Sequence, residues 1–104
     1  MSEVAGSVRH DPGAGRFWVD VDGHRGTLEY RRSGGTMAIV QTVVPPAVGG
    51  RGIARRLVEA AVRHARIEGL AVDPICSYAQ AWLRRHPERA GAGGPARDGA
   101  ASGR

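Results

Sequence analysis

The sequence contains no lysine, a single cysteine and few aromatic residues, which make up 5% of the chain. A lone Cys76 excludes an internal disulfide, and together with four scattered histidines it makes no zinc site. No apolar run approaches the ~20 residues of a membrane-spanning helix. The N-terminus also lacks the charged-then-apolar pattern of a signal peptide. We therefore expect a cytoplasmic protein without a metal and without a membrane partner.

The positive charge of the chain comes entirely from arginine. Fifteen arginines against ten acidic residues give a net charge of +5, which favours an anionic ligand such as a phosphate, a nucleotide or nucleic acid. Residues 89–104 are mainly Gly, Ala and Arg, and this composition predicts a disordered tail. Residues 1–88 are then expected to form a single domain.

The first half of the sequence has the composition of β-strands. Residues 16–21, 25–31 and 36–44 are rich in β-formers, and the turn sequences DG and SGG separate them. Pro45 and Pro46 end the last of these runs, because proline donates no ladder hydrogen bond. The pattern predicts a three-stranded antiparallel meander, with residues 4–10 as a candidate for a further edge strand.

The second half changes to helical spacing at Gly52. Apolar residues from Ile53 onward recur at i, i+3 and i+4, which predicts an amphipathic helix of roughly 17 residues ending at Gly69. Residues 70–76 are predicted to form a strand, and Ser77 to cap a short helix over 78–86. The order β-β-β-α-β-α is typical of an α+β domain.

Three glycines lie where the third strand gives way to the long helix. A helix N-terminus presents unpaired N–H groups and a partial positive charge, and glycines let the backbone approach an anion closely. The turn therefore indicates a phosphate cradle, although a plain glycine-rich connection before a surface helix is the alternative. Neither a Walker loop nor a dinucleotide fingerprint fits its spacing. The turn glycines are Gly49, Gly50 and Gly52, and Arg51, Arg55 or Arg56 are available for an outlying phosphate.

Several ordered motifs resemble the acetyl-CoA-binding core of the GNAT acetyltransferases, and most closely their small single-domain subfamily. The motifs are VPPAVGGRGIARRLVEAAVRHAR and the following PICSYAQAWLRRHPE, within a resemblance from about Val8 to Glu88. The resemblance implies a compact GNAT-like fold. It also implies an acetyl-CoA-dependent N-acetyltransferase that acts on an unidentified primary amine.

The resemblance also implies where the cofactor binds. Backbone amides of the turn would hold the pyrophosphate of CoA, and the strand 37–44 would lie along the pantetheine arm. The thioester would sit where the strand 70–76 diverges from it. The family's usual motif starts with Gln or Arg where this chain has glycine, which costs little if the amides carry the binding. The implied cofactor-binding residues are Val43, Val44, Gly49, Gly50, Arg51, Gly52, Ile53, Ala54, Arg55 and Arg56.

Three side chains are candidates for the chemistry. The C-x-Y match implies that Cys76 is a catalytic or acyl-accepting thiol, against the alternative of a small buried core residue. Tyr78 is a proton donor for the leaving thiolate or a packing residue. Gln41, on the central strand, is placed to position the amine or a water. Glu29 is the only acid on a central strand and a weaker candidate for a base, and His64 is expected on the surface.

The links before the third strand are short, which predicts an open acceptor site suited to a small amine or to an amine on a peptide or protein.

Two alternative functions remain. One is a small basic nucleic-acid-binding protein, although helix arginines are usually a solvated face and aromatics are few. The other is a GNAT fold that binds CoA without turnover, because the sequence has no clear general base.

Overall fold

The computed structural model describes residues 7–87 of the chain. The predicted tail 89–104 lies outside the described residues, as do the first six residues. The elements in chain order are β1 Arg9–Asp11, β2 Arg16–Val21, β3 His24–Ser33, β4 Thr36–Val43, a 3₁₀ turn Pro46–Val48, α1 Ile53–Glu68, β5 Ala71–Pro74 and α2 Ser77–Arg85.

The five strands form one sheet in the order β1-β2-β3-β4-β5. Strands β1 to β4 are antiparallel neighbours, and β5 runs parallel to β4 after the crossover through α1. The predicted meander is confirmed, and a further edge strand at Arg9–Asp11 overlaps the end of the predicted range 4–10, of which residues 4–6 lie outside the described residues. This strand ends at Asp11 because a tight turn follows, in which the N–H of Ala14 donates to the Asp11 carbonyl and the chain returns as β2.

Both helices pack on the same face of the sheet, and the core lies between this helix layer and the sheet. Alternate residues of β2 and β3, such as Phe17 and Leu28, point toward the apolar stripe of α1, which includes the fully buried Leu57. Trp82 on α2 is buried. The opposite face, here called the outer face, carries the exposed positions of the strands and, within the described chain, no helix. Residues 7–87 thus form a two-layer α+β domain.

Strands β4 and β5 separate beyond Ile39. Tyr30 pairs with Ile39 but Glu29 pairs with Gln41, so β4 contains one extra residue, Val40, and a bulge. Strand β5 pairs with β4 only as far as Pro74, and the backbone N–H groups of residues 75 and 76 both donate to the Ile39 carbonyl at 3.0 Å. The chain then turns away into α2. The gap that this leaves between residues 40–44 and 75–78 is called the strand opening below.

Candidate functional site

The glycine turn is built around two left-handed backbone conformations that glycine adopts without strain. Gly50 has φ +79° and Gly52, the N-cap of α1, has φ +74°. No side chain caps the N-terminus of α1, and its first turn contains no acidic residue. The first-turn N–H groups of this 16-residue helix therefore have no side-chain acceptor of the kind that usually satisfies them. Such amides suit an anion.

A glycine in the middle of the sheet brings the start of α1 close to β3. A Cβ on Gly26 would lie 2.9 Å from Ile53 Cγ2 and 3.5 Å from Leu57 Cδ1. The absent side chain thus lets the first turn of α1 rest directly on the sheet. Gly26 therefore sets how closely the start of α1 approaches the sheet. The position of the glycine turn relative to the strand opening depends on this distance.

Cys76 lies at the strand opening and caps α2. Its Sγ atom accepts a hydrogen bond from the backbone N–H of Ala79 at 3.4 Å and lies 3.6 Å from Thr42 Oγ1 on β4. The prediction that Ser77 caps this helix is wrong, because Cys76 still has an extended backbone and Ser77 is already the first helical residue. The thiol is half-buried, so it is neither sealed in the core nor freely exposed.

A cavity of about 230 Å³ connects the glycine turn with the start of α2. Tyr78 lines it from α2, with 38% of its surface exposed. The turn and Tyr78 therefore share one depression, and Cys76 is not among its lining residues. The lining residues are Val44, Gly49, Gly50, Gly52, Ile53, Ala54, Arg55 and Tyr78.

The arginines of the turn are held by carboxylates of the same chain. Arg51 makes an ion pair with Asp22, at the tip of the β2–β3 hairpin. Arg55 lies against Gly52, where its Nη2 would be 3.1 Å from an added Cβ, and pairs with Glu59 at 3.4 Å. Both guanidinium groups are about half-exposed, so an anion at the turn can reach them from solvent.

The side chains of Gln41 and Val43 lie on the outer face of the sheet. Gln41 pairs across the strands with Glu29, and Val43 with Thr27, whereas Thr42 between them pairs with the buried Leu28. Gln41 therefore lies on the outer face, and the structure does not bring it onto the same side of β4 as Cys76 and Tyr78. Side chains alternate between the two faces of a strand, and the bulge at Val40 sets which face Gln41 occupies.

Sequence reasoning missed three residues of this region. Thr42 contacts Cys76, Gly26 supports the helix start, and Asp22 holds Arg51. The DG turn signal marked Asp22 only as a hairpin residue, and Gly26 stands in an unremarkable strand sequence. Their roles depend on contacts between distant segments of the chain, which no local pattern reports.

The arrangement suits a phosphorylated ligand whose reactive end lies in the strand opening. Amides and arginines meet at the glycine turn, and the Tyr78 phenol lies at the other end of the cavity, two residues after Cys76. Within residues 7–87, no group of three or more His, Cys, Asp and Glu side chains could hold a metal ion. Over the same residues, no helix is long and apolar enough to span a bilayer.

Comparison with known proteins agrees with this geometry. A family model described as GCN5-related N-acetyl-transferase matches residues 16–91. Protein NATD1 of Xenopus tropicalis is 35% identical over 83 residues, covering 77% of this chain and 76% of that protein. Its human counterpart is also 35% identical, over 74% of its length. The NMR structure of a GCN5-like protein from Staphylococcus aureus, proposed to be an N-acetyltransferase, matches with TM-score 0.65 and 25% identity over 86% of each chain.

Proposed function

Since this chain belongs to the GCN5-related N-acetyltransferase family, we propose that it transfers an acetyl group from acetyl-CoA to a primary amine. The observation that carries the proposal is the single depression that joins the uncapped N-terminus of α1 to Tyr78 at the strand opening. A phosphate-binding end and a reactive end are thus connected by one path.

The glycine turn fits the pyrophosphate of CoA. A Cβ on Gly50 would meet nothing within 4 Å, so the space above the turn is open to a ligand. Backbone amides of residues 50–54 would donate to the phosphate oxygens, and Arg51 and Arg55 would neutralise the outer charge. Residues 43 and 44 would guide the pantetheine arm along the free edge of β4, where β5 no longer pairs with it.

The chemistry requires a neutral amine, a polarised carbonyl and a protonated leaving group. The amine nitrogen forms the new C–N bond, the C–S bond of the thioester breaks, and the CoA sulfur takes a proton while the amine loses one. Cys76 and Tyr78 are the proton donors we assign beside the leaving sulfur. Gln41 is assigned to the acceptor side, where its amide would orient the amine or a water from the outer face.

The nucleic-acid alternative is not favoured, because the family match accounts for the glycine turn and its basic flank. A CoA-binding protein without turnover is the alternative that experiment must separate. Binding and catalysis are therefore measured independently below.

The first experiment is calorimetric titration of the protein with acetyl-CoA and CoA, with ATP as a control ligand. We expect saturable binding of both CoA species and none of ATP. The matched variants are Gly50→Ala and Gly34→Ala, since both glycines have positive φ and open space around an added Cβ. Only Gly50→Ala should weaken CoA binding, because only its methyl group enters the turn. Equal effects of the two variants, or no CoA binding by the native chain, would contradict the proposal.

The second experiment follows radioactive acetyl groups from acetyl-CoA to a panel of amines and to the protein itself. The chain has no lysine, so the candidates for retained label are the N-terminal amine, Cys76, a histidine ring and a hydroxyl oxygen. Label that neutral hydroxylamine releases from the native chain and that is absent from Cys76→Ala identifies a thioester at Cys76. Acetylated amine with no protein-bound label indicates direct transfer, and binding without any acetylated amine indicates the inactive alternative.

A further inference from the structure

Large apolar side chains that are exposed on the described chain are concentrated at the strand opening. There are four among residues 7–87: Val43 with 44% of its surface exposed, Ile67 with 73%, Ile75 with 53% and Tyr78 with 38%. Three of them, here called the apolar rim, are Val43, Ile75 and Tyr78. They adjoin Thr42 and Cys76, whose side chains meet across the opening. Only Ile67, near the end of α1, lies elsewhere.

The rim extends through the strand opening from the outer face to the helix side. Val43 pairs with Thr27 on the outer face, Ile75 lies in the link between β5 and α2, and Tyr78 borders the depression at the glycine turn. The helix side of the opening is taken up by α1, α2 and the depression assigned to the cofactor. The outer face, where Val43 is exposed, is therefore the side left for an acceptor.

The charge around the opening does not suit a polycation. Residues 7–87 contain twelve arginines and seven acidic residues, so the domain repels a multiply charged amine. Of the two acids nearest the opening on the outer face, Glu29 lies 4.0 Å from Arg16, which offsets its charge. The other, Asp73, is a single exposed carboxylate on β5.

We propose that the acceptor is a monoamine carried on an apolar body, which packs on the apolar rim while its nitrogen reaches the strand opening. This inference rests on the proposed acetyltransferase function. Apolar surroundings favour the uncharged form of the amine, which is the form that attacks the thioester. On approach, before the nitrogen loses its proton, the single positive charge matches the single exposed carboxylate of Asp73 on β5. A polyamine would bring further charges toward a domain with an excess of arginine.

The test compares phenethylamine with spermidine, by acetylation rate and by binding to the CoA-saturated protein. We expect kcat/KM for phenethylamine to exceed that for spermidine by tenfold or more. Ile75→Ser should raise KM for phenethylamine roughly tenfold, as expected when an apolar pocket loses most of one side chain. It should leave the affinity for CoA unchanged. The matched control is Ile67→Ser, which removes an exposed isoleucine away from the opening.

The outcomes separate this inference from the proposed function. Spermidine as the better acceptor, or equal KM values for the two serine variants, would overturn the apolar acceptor while leaving the acetyltransferase intact. Phenethylamine that binds in an Ile75-dependent manner without being acetylated would support the acceptor site and overturn the activity. Absence of any binding preference between the two amines would overturn the inference, whatever the turnover.

Discussion

At the scale of single residues, Cys76 has two roles that must be separated. Its Sγ atom caps α2 through the N–H of Ala79 and also borders Thr42 in the strand opening. The same sulfur atom therefore holds the first turn of α2 and borders the opening where the chemistry is proposed. A change at this position therefore affects stability and chemistry together unless the cap is preserved.

Serine in place of Cys76 preserves the cap. We expect Cys76→Ser to unfold at nearly the native temperature, because serine is a preferred N-cap, whereas Cys76→Ala should lose about 0.5–1 kcal/mol. Both variants should lower kcat roughly 100-fold if the thiol takes part in proton transfer. Thermal unfolding and steady-state kinetics of the two variants measure this. Native turnover by Cys76→Ser would remove the thiol from the mechanism.

A second group of residues, away from the site, links the edge strand to α1. The His10 ring stacks on Phe17 with centroids 4.0 Å apart, its Nε2 lies 2.6 Å from the Tyr30 hydroxyl, and its centroid lies 4.4 Å from that of His64. The expectation that His64 is a plain surface residue is therefore wrong. Burial lowers the pKa of His10, the charge of His64 lowers it further, and Asp11 opposes both.

This depressed pKa of His10 predicts a loss of stability in mild acid. The folded state binds the proton less readily than the unfolded state, whose histidine titrates near 6.5. The contribution of the neutral ring is therefore complete above that pH and is lost as the pH falls toward the lower pKa of the folded state. Urea unfolding at pH 7.5 and 5.5 measures the change. His10→Gln should flatten the dependence, while His24→Gln, at an exposed site, should not; equal slopes for both would refute the assignment.

At the scale of elements, the contact between α1 and β3 sets the geometry of the site. Ile53 is the first residue of α1 and rests above Gly26. The glycine turn directly precedes Ile53, so its position depends on how closely the helix approaches the sheet. Packed interiors do not absorb an added methyl group without displacement.

Gly26→Ala should move the start of α1 away from the sheet. We expect a loss of about 1–3 kcal/mol in the free energy of unfolding together with weaker CoA binding, because the amides of the turn shift with the helix. Gly35→Ala is the matched control, since its Cβ would meet nothing within 4 Å. Chemical denaturation and calorimetry measure the two effects. Destabilisation of Gly26→Ala with native CoA affinity would show that the turn is held independently of this contact.

At the scale of the whole molecule, the arginine-rich domain suits the strongly anionic ligand proposed for it. The excess of five arginines over acids among residues 7–87 would attract the phosphates of CoA from a distance, beyond the proposed contacts at the turn. The same excess acts in the opposite sense on a cationic acceptor. Charge attraction therefore favours the proposed binding of CoA, whereas apolar contact favours the proposed acceptor.

Salt dependence separates these contributions. Raising the salt concentration from 50 to 500 mM should weaken CoA binding roughly tenfold, because added ions screen the attraction between the arginines and the phosphates. Acetylated pantetheine without phosphates should bind weakly and nearly independently of salt. Calorimetry at the two salt concentrations measures both ligands. If CoA and acetylated pantetheine showed equal salt dependence, the phosphate contacts would not be the source of the binding free energy.

The sequence by itself determined the elements and their order. Periodicity located α1, with Gly69 at its end, and the paired prolines and glycine-containing turns delimited the strands, because these signals depend on neighbours within a few residues. The family motifs are likewise continuous segments of the chain, so the order of the residues alone is enough to reveal the GNAT resemblance.

Only the tertiary structure decided how these segments meet. The bulge at Val40 set which face Gln41 occupies, the end of β5 pairing opened the sheet beside Cys76, and a missing side chain at Gly26 let α1 approach. The apolar rim combines residues from β4, from the link after β5 and from the start of α2. These features arise from register and packing between distant segments, and a one-dimensional pattern does not contain the distances that create them.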